Sequence, residues 1–110
     1  MSTLKVDTIQ DTNAVEMYLC KAWVSFNGTG TVAIKESGNV SSITDNGTGY
    51  YTVNLTTAMP DANYCVVAND NYVGAVNHST VFSTSSYTLI SRDTTFTGLD
   101  CANVCSAVFR

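Results

Sequence analysis

Residues 21–64 read KAWVSFNGTG TVAIKESGNV SSITDNGTGY YTVNLTTAMP DANY, and the turn string Asn-Gly-Thr-Gly occurs in them twice, at Asn27–Gly30 and Asn46–Gly49. Asn and Gly are the residues that best tolerate positive φ, which tight hairpin turns of the correct twist require. Short apolar-alternating runs flank both strings, so the stretch predicts a compact antiparallel sheet. In Tyr18–Phe26 the residues Tyr18, Cys20, Ala22, Val24 and Phe26 share one face, and Leu19, Lys21, Trp23 and Ser25 share the other. A period of two with one apolar face reads as a half-buried strand.

The same reading extends outward. A short strand is expected over Thr31–Lys35, a turn at Glu36–Asn39, and a strand over Val40–Thr44 leading into the second turn string. Tyr51, Val53 and Leu55 then form the apolar face of another strand, which ends before Pro60, a residue that cannot donate to a ladder. Tyr64–Ala68 is apolar on both faces and reads as a central strand. Asn69–Ser79 reads as an irregular loop. Further strands are expected near Val81–Ser83, Tyr87–Arg92, Thr94–Thr97 and Val104–Phe109. About eight short strands without helical periodicity predict an all-β chain, a single antiparallel β-sandwich or small barrel. Residues 1–15 lack a consistent period and read as an extended N-terminal arm, leaving 16–110 as the β domain.

With 110 residues, the chain is sized for one domain. Hydrophobic residues make up 45% and mean hydropathy is +0.07, which suits a globular β protein. Charged residues make up only 13%, so Ser, Thr and Asn supply the polarity. A surface of that kind suits packing against copies of itself or against hydroxyl-rich ligands. Net charge is −4 and no run of Lys and Arg occurs, which argues against a nucleic-acid footprint. The first residues contain no long apolar segment, so neither a signal peptide nor membrane insertion is expected, and folding in a reducing cytoplasm is. In that compartment the Asn-x-Ser/Thr triplets at Asn27, Asn39, Asn46, Asn54 and Asn77 read as turn and strand composition, not as glycan sites.

The strings KAWV-x-FNGTGTVAI, NVSSITDNGTG-x-YTVN and TTAMPDANY, all within residues 21–64, closely resemble a small β domain. That domain lies near the C-termini of tail-fibre and related virion proteins of double-stranded DNA bacteriophages, notably marine and cyanobacterial phages. The resemblance covers somewhat under half of the chain. It implies a virion structural protein, assembled in the host cytoplasm: a tail-fibre or fibre-tip subunit that contacts the host surface. A capsid or tail decoration protein that stabilises the particle is the alternative. Because such fibres are generally trimeric, it also implies a homotrimer. The arm would then pack on neighbouring subunits or other virion proteins.

Sites of chemistry are scarce. Cys101-x-x-x-Cys105 has no second close pair, since Cys20 and Cys65 lie far apart, and His78 is the only histidine, so no metal site and no cofactor is expected. In one extended strand Cys101 and Cys105 would be separated by roughly 13 Å. Bridged cysteines need Cα atoms within about 7 Å. Free, buried thiols are therefore the preferred reading. No acid–base constellation surrounds His78, so no enzymatic activity is expected. The candidate contact surface for a ligand or neighbour, a host-surface glycan included, is the 69–79 loop. Tyr72 would supply an aromatic face there, with Asp70, Asn71, Asn77 and His78 as polar partners. Finally, the closing strand is apolar on both faces, and Leu4, Val6 and Ile9 have no core of their own, so self-association is expected.

Overall fold

The computed structural model describes residues 3, 5–71 and 76–110, with 76–82 described through the backbone only. Among these residues the chain contains strands and no helix. The strands are β1 (Cys20–Asn27), β2 (Ala33–Gly38), β3 (Val40–Gly47), β4 (Tyr50–Leu55), β5 (Cys65–Asp70), β6 (Val76–Phe82), β7 (Ser86–Arg92) and β8 (Val104–Phe109). They form two antiparallel sheets, ordered β2-β1-β8-β5 and β3-β4-β7-β6, which are not closed into a barrel.

One apolar core lies between the sheets. From the first sheet come Ala22, Val24 and Phe26 of β1 and Val104 and Val108 of β8. From the second come Tyr51, Val53 and Leu55 of β4 and Tyr87 and Leu89 of β7. The period of two in β1 and β4 thus buries the expected faces. Phe26 meets Tyr51 edge-on with ring centroids 5.1 Å apart. A second tie crosses the core through hydrogen: the hydroxyl of Tyr87 and Oγ of Ser106 are 2.7 Å apart, both residues buried. Ser106 on the inner face of β8 is tolerated because it has that partner.

The β2–β3 corner shows how local chemistry sets the path. Asn39 has φ 58°, a left-handed conformation that Asn tolerates better than most residues. Its side-chain amide donates to the carbonyls of Lys21 and Thr57, and its Oδ1 accepts from the Thr57 amide at 2.7 Å. A single residue therefore carries the chain from one sheet to the other and ties three segments together.

Four expectations need correction. The second strand runs over Ala33–Gly38, through the residues expected to turn, and the turn is made by Asn39 alone. The first strand begins at Cys20, and Tyr18, expected on the inner face, is 77% exposed. β5 is an edge strand, not a central one, because β8 takes the place between it and β1. Residues 94–97 form a turn, not a strand: Asp93 Oδ1 accepts from the amides of Thr95 and Thr97 and from the Thr95 hydroxyl. That local pairing competes with a ladder and wins.

Candidate functional site: the pole of the turns

Alternating strand directions sort the connections to two ends of the molecule. One pole carries the start of β1, the Asn39 corner, residues 56–64 and the Ser83–Ser86 turn. The opposite pole gathers both Asn-Gly-Thr-Gly turns, the β5–β6 connection and the 93–103 crossover into β8. Strands of six to eight residues place the poles roughly 20–25 Å apart.

At the pole of the turns, the segment Leu99–Cys101 is held between the two turn strings. The Gly28 amide donates to the Cys101 carbonyl at 2.8 Å, and the Gly49 amide donates to Asp100 Oδ1 at 2.8 Å. Leu99 donates to the Ser91 carbonyl, and Ser91 donates to the Gly49 carbonyl. The Tyr51 hydroxyl reaches this junction from the core, 2.9 Å from the Gly28 carbonyl oxygen and 2.8 Å from Asp100 Oδ1. Burial, then the hydrogen bond to Asp100, raises the Tyr51 pKa well above its ordinary value, so the phenol stays a donor.

The two turns use their glycines differently. In the first, Asn27 Oδ1 accepts from the amide and hydroxyl of Thr29, and Gly28 packs so closely on Tyr51 that a Cβ there would overlap its hydroxyl. In the second, Gly49 has φ 68° and a Cβ would meet the Ser91 carbonyl and come within 2.5 Å of the Leu99 amide.

Beside this junction lies the part of the expected contact loop that the structure describes. Asp70 ends β5, and Asn71 Oδ1 accepts from the Asn103 amide at 3.2 Å. Lys35 reaches across from β2 to donate to the Ala102 carbonyl at 2.9 Å and to Asn103 Oδ1. Asn71, Asn103 and Lys35 are all exposed, and with the exposed Asp100 beside them this corner is an amide-rich surface carrying charges of both signs. Asn77 and His78 are not in a loop: they lie in β6, where their backbones pair with Ser91 and Ile90. Tyr72 lies outside the described residues. Of the irregular loop expected over 69–79, residues 69–70 lie in β5 and 76–79 in β6.

Asp100, Lys35 and Asn103 went unread in the sequence. Lys35 finds its partners 67 and 68 residues away, and no local spacing marks such a contact. Cys101 is buried beside Asp70, and burial together with that carboxylate pushes its thiol up to about 11. The thiol is therefore protonated at neutral pH and is a poor nucleophile. All four cysteines are free; Cys101 is buried and Cys105 half-buried, as read, while Cys20 and Cys65 are exposed. Among the described residues no group of three His, Cys, Asp or Glu side chains is placed to hold a metal ion.

A second surface lies on the outer face of the β2-β1-β8-β5 sheet. Cross-strand register aligns Trp23 with Ala107 and Ala107 with Val67, and beside them Ser25, Cys105 and Asn69 form a second row. The two rows line a shallow groove of about 460 Å³. Trp23 is 42% and Val67 52% exposed. Sequence patterning held the signal for this groove in the doubly apolar runs 64–68 and 104–109, although their position in the sheet was not readable.

Comparison with protein-family models, with curated proteins and with solved structures finds no match to this chain.

Proposed function

We propose that this chain is a bacteriophage virion protein, a tail-fibre or fibre-tip subunit that serves host attachment as a homotrimer. The reading is of a β-sandwich module with an N-terminal arm, a binding and structural protein without a reaction of its own. Its support in the sequence is the resemblance of residues 21–64 to the fibre-associated β domain. In the structure, one observation favours it above others: the N-terminal segment and the turn-rich pole lie at opposite ends of the strands. An appendage subunit needs that separation, with one end to join the particle and the other to face outward. The outward pole offers amides and one cation, Asn71, Asn103 and Lys35, to a hydroxyl-rich host-surface glycan. The protonated Cys101 thiol favours binding over nucleophilic chemistry at this pole.

The decoration reading keeps one specific support. The N-terminal segment exposes Val6, Val15 and Met17 to half or more of their area, which equally suits docking on a capsid or tail surface.

The test uses phage carrying Lys35→Ala with Asn71→Ala. Adsorption to host cells is expected to fall while particle yield and stability hold. Normal adsorption together with a capsid-like copy number in purified virions would replace attachment by decoration.

A further inference from the structure

The N-terminal segment is structured yet touches little of its own body. Its residues Ile9–Met17 form a small hairpin: Gln10 bridges Glu16, Met17 donates to the Ile9 carbonyl at 2.7 Å, and Asp11 donates to the Val15 carbonyl. Asp11 Oδ1 caps the turn by accepting from the amides of Asn13 and Val15. Among the described residues, every hydrogen bond of this segment runs within it. Six large apolar side chains nonetheless stand on it exposed: Val6, Ile9, Val15, Met17, Tyr18 and Leu19. The projecting segment is consistent with the dimensions of the chain. The radius of gyration is 15.5 Å, against about 13 Å for a compact domain of this length.

The same chain exposes the apolar groove of Trp23, Val67 and Ala107. We infer that the Ile9–Met17 hairpin of one copy docks in the outer-face groove of a second copy, so that arms are exchanged between subunits. This deepens the homotrimer of the proposed function and rests on its self-association; association that survives the Asp variants below would remove the exchange and leave the oligomer standing.

Two features select a second copy over the chain's own arm or an unrelated partner. First, the hairpin is joined to β1 by Tyr18 and Leu19 only, and both edges of β1 are already paired, with β2 and β8. Two residues cannot turn the hairpin back over the face of the strand they lead into. Second, the areas match: the six arm residues with Trp23, Val67 and Phe109 expose on the order of 900 Å² per copy, about one partner's share of a standard interface.

Trp23 is the only tryptophan and lines one side of the groove, so its emission reports occupancy directly. Sedimentation velocity on the full chain is expected to show association from low to high micromolar concentration, with a parallel blue shift of Trp23 emission. Val15→Asp with Met17→Asp in the arm, and separately Val67→Asp in the groove, should each remove both signals. These side chains are exposed, so far-UV circular dichroism should remain that of the parent. The decisive step mixes two defective chains. Trp23→Ala, which lacks one side of the groove but keeps the arm, is titrated into the arm-defective chain, which keeps Trp23. The blue shift should return, because the sole fluorophore then sits in an intact groove facing an intact arm. If Trp23→Ala proves unfolded, Trp23→Phe with Val67→Asp takes its place. A chain that stays monomeric, a concentration-independent emission maximum, association surviving either Asp variant, or no rescue on mixing would each overturn the exchange.

Discussion

Two identical turn strings should respond unequally to the same substitution, and the comparison isolates a packing contact from backbone strain. Gly30 and Gly49 occupy the fourth position of their Asn-Gly-Thr-Gly strings and have similar left-handed φ values, 58° and 68°. An alanine at either position carries the left-handed penalty of about 1–2 kcal/mol. At Gly30 nothing else lies within 4 Å of the added Cβ. At Gly49 that Cβ meets the Ser91 carbonyl oxygen, the Leu99 amide at 2.5 Å and the Leu99 carbonyl at 2.9 Å, all of them backbone atoms. The Ser91 carbonyl and the Leu99 amide are hydrogen-bonded to each other, and the Ser91 amide is tied to Gly49, so they cannot withdraw without breaking the clasp. Overpacking of this kind adds about 1–3 kcal/mol. For a 110-residue chain one kcal/mol corresponds to about 4 °C in Tm. Gly30→Ala should therefore lower Tm by about 4–8 °C, and Gly49→Ala by roughly a further 4–12 °C. Far-UV circular dichroism melts, checked by urea titration of Trp23 emission, measure both. Equal losses in the two variants would mean that the clasp on Leu99–Asp100 does not exist as described.

Four further outcomes follow from named contacts. Removing the inter-sheet pair one member at a time, Tyr87→Phe and Ser106→Ala, should reveal a coupling of about 1 kcal/mol in a double-mutant cycle; strict additivity would deny the bond. Burial pushes the Tyr87 phenol up to about 12 from its ordinary 10, so the folded chain holds that proton longer than the unfolded one. Stability from this group is complete below pH 10 and is lost as pH rises toward 12, so alkaline unfolding should weaken in Tyr87→Phe, as read by pH-dependent melts. The Asp61 carboxyl is held down at about 2 by the Arg110 guanidinium, a 2.7 Å surface pair. Its contribution is present above the ordinary carboxylate range and lost as pH falls toward 2. Asp61→Asn should therefore cost slightly in Tm at pH 6 and nothing at pH 2, with the difference shrinking in high salt. Thiol titration with a disulfide reagent at pH 8 should find Cys20 and Cys65 fast and Cys101 slow, since the last is buried and protonated; uniform rates would contradict the burial.

Much of the fold was legible locally. The alternation in Ala22–Phe26 and Tyr51–Leu55 named the core faces of β1 and β4, because a strand side chain's face is set by sequence parity alone. The Asn-Gly strings located two hairpins, although the positive φ falls on Gly30, Gly47 and Gly49 and not on Asn27, Gly28 or Asn46. Of the expected contact residues, Asp70 and Asn71 do lie at the turn pole. Asn77 and His78 belong to β6, whose polar composition disguised a strand with neighbours on only one side.

What the sequence by itself determined is therefore the all-β class, the hairpins and the identity of the core-facing residues, all of which depend on contacts between near neighbours. The lateral order of strands was decided only in the tertiary structure. The runs 65–70 and 104–109 look equally apolar, yet β8 became central and β5 an edge, because order depends on which ladder partners β1 accepts. The clasp of Asp100 and Tyr51 on the two turns, the reach of Lys35 to Asn103 and the Trp23–Ala107–Val67 groove all join residues tens of positions apart. No periodicity encodes such contacts; they arise only once two sheets pack and the poles assemble.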